Sequence, residues 1–455
     1  MGLYKIIKSK YKTIALCLMV VLMTFFLSGC SIFKTPAVTY KMDLEVWGLF
    51  DDSDTFDEAI AEYKKINPQI AKIIYKKLDQ TTYENELIQS LAVGNGPDII
   101  LIQNSWLKKF ADKITPAPID IVTEQGLRNQ FADVVAGDFV NQGKVYAVPL
   151  SVDNLALYYN KDIFNQAGIV SPPKTWTEFV EDVKKTTKLD GLGQIKQSGA
   201  AMGTAYNINR STDILNLLFL QNKTPMLDSD NRQAKFEAGV NALEFYTNFA
   251  KTGSAFYSWN GKMHYSVDAF SEGTLAMMLN YSWQEAVLKS KAPKLNFAVA
   301  PVPQLGTDES MTYPNYWAYT VVANKPNVTA DGAKIQLSNT LRVQEAWKFL
   351  KFLTMKPVAV SGQTTAPYDA AAKYVEATNK PSGRRDLIEK QKNDVNIGVF
   401  ATQNLVAKDW MQADPVAVEN IFATMIDKVN TGAATTNDAI REASTRVTQM
   451  MSGGN

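Results

Sequence analysis

Chemistry in this 455-residue chain has to be done almost without histidine or cysteine. His264 is the one imidazole, and Cys17 and Cys30 are the two thiols. A Ser-His-Asp or Cys-His apparatus would have to be built on His264, and a zinc site made of several His and Cys ligands is excluded. No second His or Cys stands at metal-ligand spacing from His264, which reads as an ordinary surface or loop residue, so neither a metal nor a cofactor is expected. What remains is carboxylates, carboxamides and rings, with eight Trp among them. Such groups suit two tasks: paired carboxylates act as acid and base, and flat rings flanked by Asp, Asn, Gln or Arg hold a ligand with apolar faces and hydroxyl edges. Gln103-Asn104-Ser105-Trp106 follows the apolar run Asp98 to Ile102, and so lies at the carboxyl end of a strand, where open α/β sheets place ligands. Asn104 and Trp106 are the candidates there, with packing under the next helix as the competing role for Trp106. Asn207 and Arg210 sit in a polar turn, 206–211, ahead of an apolar helix, where capping competes with ligand contact.

Charge and composition narrow the partners. With 47 Lys and Arg against 46 Asp and Glu and no basic block, the chain offers nucleic acid little electrostatic footprint, and 46% apolar residues argue for an ordinary folded protein. The length suits two or three domains. Its first thirty residues are of another kind. Lys5, Lys8, Lys10 and Lys12 precede the uncharged run Ile14 to Leu27, the pattern of an export signal. A membrane span is the alternative, but Leu27-Ser28-Gly29-Cys30 resembles the lipobox of bacterial lipoproteins, which implies cleavage before Cys30 and a diacylglyceryl group on its thiol. Two acyl chains hold a soluble domain at a membrane where one would not. Residues 1–29 are then a leader and 30–39 an acylated cysteine and tether. Loss of the leader removes Cys17 and four lysines, leaving a weakly acidic chain without a disulfide.

From Tyr40 onward, strand-like and helix-like segments alternate. Met42 to Leu49 reads as a strand, Phe56 to Ile66 as a helix stopped by Asn67-Pro68, Ile73 to Leu78 as a strand and Tyr83 to Val93 as a helix. The turn Gly94-Asn95-Gly96-Pro97 then leads into Asp98 to Ile102. This alternation predicts a parallel, helix-covered sheet. Asn141-Gln142-Gly143-Lys144 reads as a hairpin turn before an extended run through Tyr159, long enough to pass from one domain to another. Thr175-Trp176-Thr177-Glu178 is a capping box. Helices follow near Thr212 to Gln221 and Phe236 to Lys251, strands at Thr274 to Asn280 and Asn296 to Val302, and a helical tail over Val343 to Leu353, Val416 to Val429 and Asn437 to Met450.

Several short motifs stand in a fixed order: Val46-Trp47-Gly48; Gly94-Asn95-Gly96-Pro97-Asp98-Ile99; Tyr146-Ala147-Val148-Pro149 before Tyr158-Tyr159-Asn160-Lys161-Asp162; Pro173-Lys174-Thr175-Trp176; and Phe270 to Met277 leading to Asn280-Tyr281-Ser282-Trp283. In that order the chain resembles the extracellular solute-binding proteins of sugar ABC transporters, the maltose-binding-protein superfamily. The resemblance implies an α/β, two-lobed periplasmic-binding-protein-like fold with several interdomain crossovers, near Leu150 to Leu155, Ala300 to Pro303 and Thr364 to Tyr368. Lobe one would hold 40–151 plus 302–363, and lobe two 152–301 plus 364–455. It further implies a non-catalytic, membrane-tethered monomer that takes a carbohydrate ligand in the cleft and hands it to ABC permease subunits outside the cytoplasm. Carried over by position, Trp283 matches the family's stacking ring, Asp51 its hydroxyl acceptor and Asp153 its crossover carboxylate, where Glu is common. Tyr316, Trp317 and Trp410 lie where related sugar binders place aromatics. The maltose-type Trp, Asp and Arg pattern is missing after Ile102. An exported carbohydrate-active enzyme using carboxylates such as Asp51 and Asp153, or a polyamine or peptide binder on the same scaffold, are the alternatives.

Overall fold

The structure is a computed structural model describing residues 40–306, 309–358 and 367–452. The leader, the Leu27 to Cys30 motif and the tether lie outside the described residues. Two five-stranded sheets, each covered by helices, form two lobes with separate hydrophobic cores. This is the expected two-lobed α/β class.

In the first sheet, β1 (Met42–Gly48) lies between β2 (Ile70–Lys77) and β3 (Ile99–Gln103), both parallel to it; then come β12 (Trp317–Val322) and β4 (Ile114–Thr115). Asp98, after the glycine turn, fastens this sheet. Its carboxylate accepts from the Glu45 backbone at 2.8 Å and pairs with Lys325 at 2.9 Å and the fully buried Arg342 at 3.3 Å. Gly48 is a close approach: a Cβ there would fall 1.9 Å from Tyr75 Oη.

The second sheet runs β11 (Phe297–Ala300), β7 (Ala156–Asn160), β10 (Leu275–Asn280), β9 (Ile195–Ala200) and β8 (Lys188–Leu189). The hairpin β5 (Val140–Asn141) and β6 (Lys144–Val145) turns through Gln142 and Gly143, both at positive φ, and β13 (Val328–Ala330) pairs with β14 (Ala333–Ile335). The Thr175 capping box forms as its sequence predicts.

The sheets are mixed, not parallel. β12 is antiparallel to β3 and β4, and β7 is antiparallel to β10 and β11. Each is the strand that enters its lobe from a crossover, so no covering helix sets its direction. The extended run after the hairpin is likewise not one strand. It leaves the first core at Val152 and joins the second at Leu155.

Two crossovers lie later than their positions in the sequence suggested. After Val302 the chain folds back on the second lobe, where Gln304 exchanges backbone bonds with Lys174 and Trp176, so Tyr313 is still in the second core and Tyr316 is the first residue of the return. Residues 367–388 also stay with lobe one. Tyr368 stacks on Phe352 at 5.9 Å, and Ala370, Tyr374, Leu387 and Ile388 complete the first core; the chain then reaches the second core at Phe400, touches the first again at Ala407 and passes to lobe two at Trp410.

The crossovers lie side by side. Leu155 N–H donates to Tyr313 O and Asn315 N–H to Asp153 O, both at 2.9 Å. Asn404 sits across them, its amide donating to Val152 O at 2.7 Å and Ser382 O at 2.9 Å while its carbonyl accepts from Asn154 at 2.7 Å. Buried carboxamides thus satisfy the carbonyls that an irregular hinge exposes.

Candidate functional site

A cavity of about 70 Å³ lies between the lobes. Gln103, Asn104 and Ser105, at the carboxyl end of β3, form its lobe-one side; Arg210, Thr212, Asp213 and Asn216 form the lobe-two side; the crossover 313–315 and Glu419 close it. Gln103 and Asn315 come from different passages of the chain, and Gln103 Nε2 donates a hydrogen bond to Asn315 Oδ1 at 3.1 Å.

The lobe-two wall is set by the start of the helix Ser211–Gln221 and the end of β10. Arg210, at φ +63°, turns the chain into that helix. Tyr281 follows β10 and donates to Asp213 at 2.8 Å. Trp283 stacks on Tyr281 at 4.5 Å and 16°, and remains 40% exposed, so the ring keeps an open face. The Arg210 guanidinium lies 5.2 Å from the Trp283 ring and 5.6 Å from that of Tyr281. Burial pushes the Asp213 carboxyl above its ordinary value, against the pull of Arg210, Tyr281 and Asn315.

Asp153 lies beneath this wall. Its carboxylate accepts from Ser282 N–H at 3.0 Å and Ser282 Oγ at 2.5 Å, at the start of the helix Trp283–Lys291. Burial raises its pKa to about 6 despite those hydrogen bonds. It therefore positions Trp283 from the hinge.

The remaining sequence candidates are occupied by the protein itself. Asp51 is held within lobe one by Lys380 at 2.5 Å and Tyr374 Oη at 2.8 Å. Asn104 lines the cavity but gives its amide to Asp409 at 2.5 Å. Trp106 is buried in the first core, stacked on Phe110 and edge-on to Trp317 at 5.0 Å. Tyr316 is buried with its hydroxyl on Asp138, and Trp410 is buried against Phe236 and Phe422 with its N–H on Asn216 at 2.7 Å. In this conformation these three rings are packing residues, not open platforms. Trp317 is half-buried beside the exposed Phe50, ring centroids 5.8 Å apart. Asn207 braces a loop by bonding Asn260 O and Met263 O. His264 pairs at the surface with Glu272 at 2.9 Å.

Asp213, Asn315 and Glu419 were not singled out from sequence. The available signal was the polar turn before an apolar helix at Arg210, which carries Asp213 one turn on. Among the described residues, no group of three or more His, Cys, Asp or Glu could hold a metal. No described helix is long and apolar enough to cross a membrane.

Two α/β lobes around a polar, ring-edged cleft, joined by side-by-side crossovers, define a two-lobed binding protein of the periplasmic-binding-protein class. The model of the bacterial extracellular solute-binding protein family matches residues 47–359, and the chain belongs to that family. The multiple sugar-binding protein of Streptococcus mutans is 25% identical over 378 residues, covering 77% of this chain and 83% of that protein. The maltotriose-binding protein of Pyrococcus abyssi is 25% identical over 313 residues, covering 68% and 61%. Among solved structures, the cyclic alpha-maltosyl-1,6-maltose binding protein from Arthrobacter globiformis superposes with a TM-score of 0.71 at 21% identity, over 91% of this chain and all of that one.

Proposed function

We propose that this chain is a receptor that captures a sugar or oligosaccharide between its lobes and delivers it to an ABC permease. The observation that carries the reading is the exposed ring of Trp283 beside a cavity lined by Gln103 and Asn104 of lobe one and by the Arg210 guanidinium and the Asp213 and Glu419 carboxylates of lobe two. A sugar presents C–H faces to a ring and hydroxyl edges to polar groups, and this wall offers both. The names of the relatives, multiple sugar-binding and maltotriose-binding, support the same ligand class. Ligand would favour a closed state only through contacts it makes to both lobes together.

The reading includes a monomer without catalytic activity, held outside the cytoplasm by a lipid on Cys30. Mass spectrometry of the N-terminus from cells, against Cys30→Ser, tests the anchor, and the Ser variant should be released from membranes. A thermal-shift screen of the chain against neutral oligosaccharides, polyamines and peptides tests the ligand class. A sugar that raises Tm by mass action and is recovered intact supports the receptor. A cleaved sugar would make it an enzyme, and stabilisation by a polyamine or peptide alone would overturn the sugar assignment.

A further inference from the structure

Among the described residues, Arg210 has aromatic neighbours, Tyr281 and Trp283, but no hydrogen-bonded or ion-paired partner. Its Nε is sealed from solvent with no hydrogen-bond acceptor among the described residues. Asp213 and Glu419 are its carboxylate neighbours, and they hold its pKa up against burial through space alone. The residue also carries a backbone cost, since φ +63° is disfavoured for a bulky side chain. A half-buried, strained arginine whose donors stay unused while it lines a cavity is poised for something that enters that cavity.

Resting on the receptor reading, we propose that Arg210 is the specificity-determining donor of the cleft and that it selects an uncharged sugar presenting two adjacent hydroxyls beside the Trp283 ring. The planar fork of a guanidinium addresses two neighbouring oxygen acceptors at once, which the point charge of a lysine does not. The choice of a neutral ligand follows from the rest of the wall. Asp213 and Glu419 line the same cavity, so an incoming carboxylate or phosphate would meet two acidic groups against one guanidinium. A diol instead accepts from Arg210 and gives its own hydroxyl protons to those carboxylates. Rings on one side and a fixed fork on the other leave a sugar little freedom to rotate.

The test uses the full-length chain in detergent with three classes of trisaccharide: neutral ones built from glucose, mannose, galactose or arabinose; trigalacturonate as the anionic probe; and a glucosamine trimer as the cationic one. Affinity is read by Trp fluorescence and calorimetry, with Tm recorded for each variant. A neutral trisaccharide should bind at least tenfold more tightly than trigalacturonate. Arg210→Lys, which keeps the charge and loses the fork, should weaken that neutral ligand tenfold or more with Tm unchanged. Glu419→Gln, on an exposed helix position, should narrow the gap between neutral and anionic probes. Full affinity in Arg210→Lys, a preference for trigalacturonate or the glucosamine trimer, or a gap unmoved by Glu419→Gln would each overturn the proposal while leaving a sugar receptor standing. Failure of the wild-type chain to bind any sugar would overturn both.

Discussion

Asp138 and Asp409 are buried beside each other at the junction of the lobes, and the Asp409 carboxyl adds to burial in holding the Asp138 carboxyl protonated. Asn104 Nδ2 donates to Asp409 Oδ2 at 2.5 Å, Tyr316 Oη donates to Asp138 Oδ2, and burial together with the neighbouring carboxyl raises the Asp138 pKa well above the carboxylate range. Asp409 is raised as well, chiefly by burial. The pair ties the helix Asp133–Phe139 of lobe one to the chain that runs on to Trp410 in the second core.

The raised Asp138 carboxyl gives the fold a pH dependence of definite sign. A carboxyl whose folded pKa is raised binds its proton more tightly folded than unfolded. Its contribution is complete below the ordinary carboxylate value and is lost as pH rises through the folded value. Asp138→Asn mimics the protonated acid, since its carbonyl accepts from Tyr316 and its amide donates to Asp409. The variant should melt close to wild type near pH 4 and a few degrees above it at pH 8. Parallel Tm curves from pH 4 to 8 would show that Asp138 is not held protonated by the fold.

Asp153 links hinge and site in a second way. Replacing it with Ala removes the acceptor of Ser282 N–H and Oγ, and loss of a helix N-terminal acceptor costs about 1 kcal/mol, within a range of about 0.5–2. Because Trp283 opens that helix, sugar affinity should fall with stability. Its pKa of about 6 also means that its share of the stability is lost as pH rises from the ordinary carboxylate value through about 6. An Asp153→Ala variant with wild-type Tm and affinity between pH 5 and 8 would remove it from both roles.

Asn404 is the hinge residue most open to a direct test. In Asn404→Ala, Val152 O and Ser382 O lose their side-chain donor inside the protein, at about 1–3 kcal/mol for each group left unsatisfied. Chemical denaturation should record that loss. Ligand binding should become weaker too, because the passages at Val152 and Asn154 fix the relative placement of both cavity walls.

What sequence made legible was local. The Thr175 capping box, the hairpin turn at Gln142-Gly143 and the strand ending at Gln103 each depend on a few neighbouring residues, and each forms. The mixed sheets were not legible, because the directions of β7 and β12 are fixed by where the chain crosses between lobes, and periodicity carries no record of that. The late crossovers share this cause: 303–313 and 367–388 are held by contacts with distant segments such as Lys174 and Phe352. The site was half legible. Trp283 shows as an exposed ring beside the cleft, whereas Asp51, carried over by the resemblance, and Asn104, chosen from its place at a strand's carboxyl end, turn out to be paired with Lys380 and Asp409, partners more than 300 positions away. Arg210 had the opposite fate, since a polar turn before a helix conceals whether its side chain finds a partner.

Trp283 and Trp410 offer the sharpest comparison of binding with packing. Trp410 is 7% exposed, its N–H is satisfied by Asn216, and its ring packs on Phe236 and Phe422 in the second core. Cutting it to Ala leaves a cavity and should cost about 3–5 kcal/mol of folding stability. Trp283 is 40% exposed and stacks on Tyr281, with the Arg210 guanidinium 5.2 Å from its ring. Its loss should cost the fold much less and should weaken sugar binding by roughly 1–3 kcal/mol, the worth of an aromatic face buried by ligand. Tm and affinity measured on both variants separate the roles. If Trp283→Ala keeps wild-type affinity, the ring is no ligand platform. If Trp410→Ala loses affinity at unchanged Tm, its ring must turn out of the core when ligand binds.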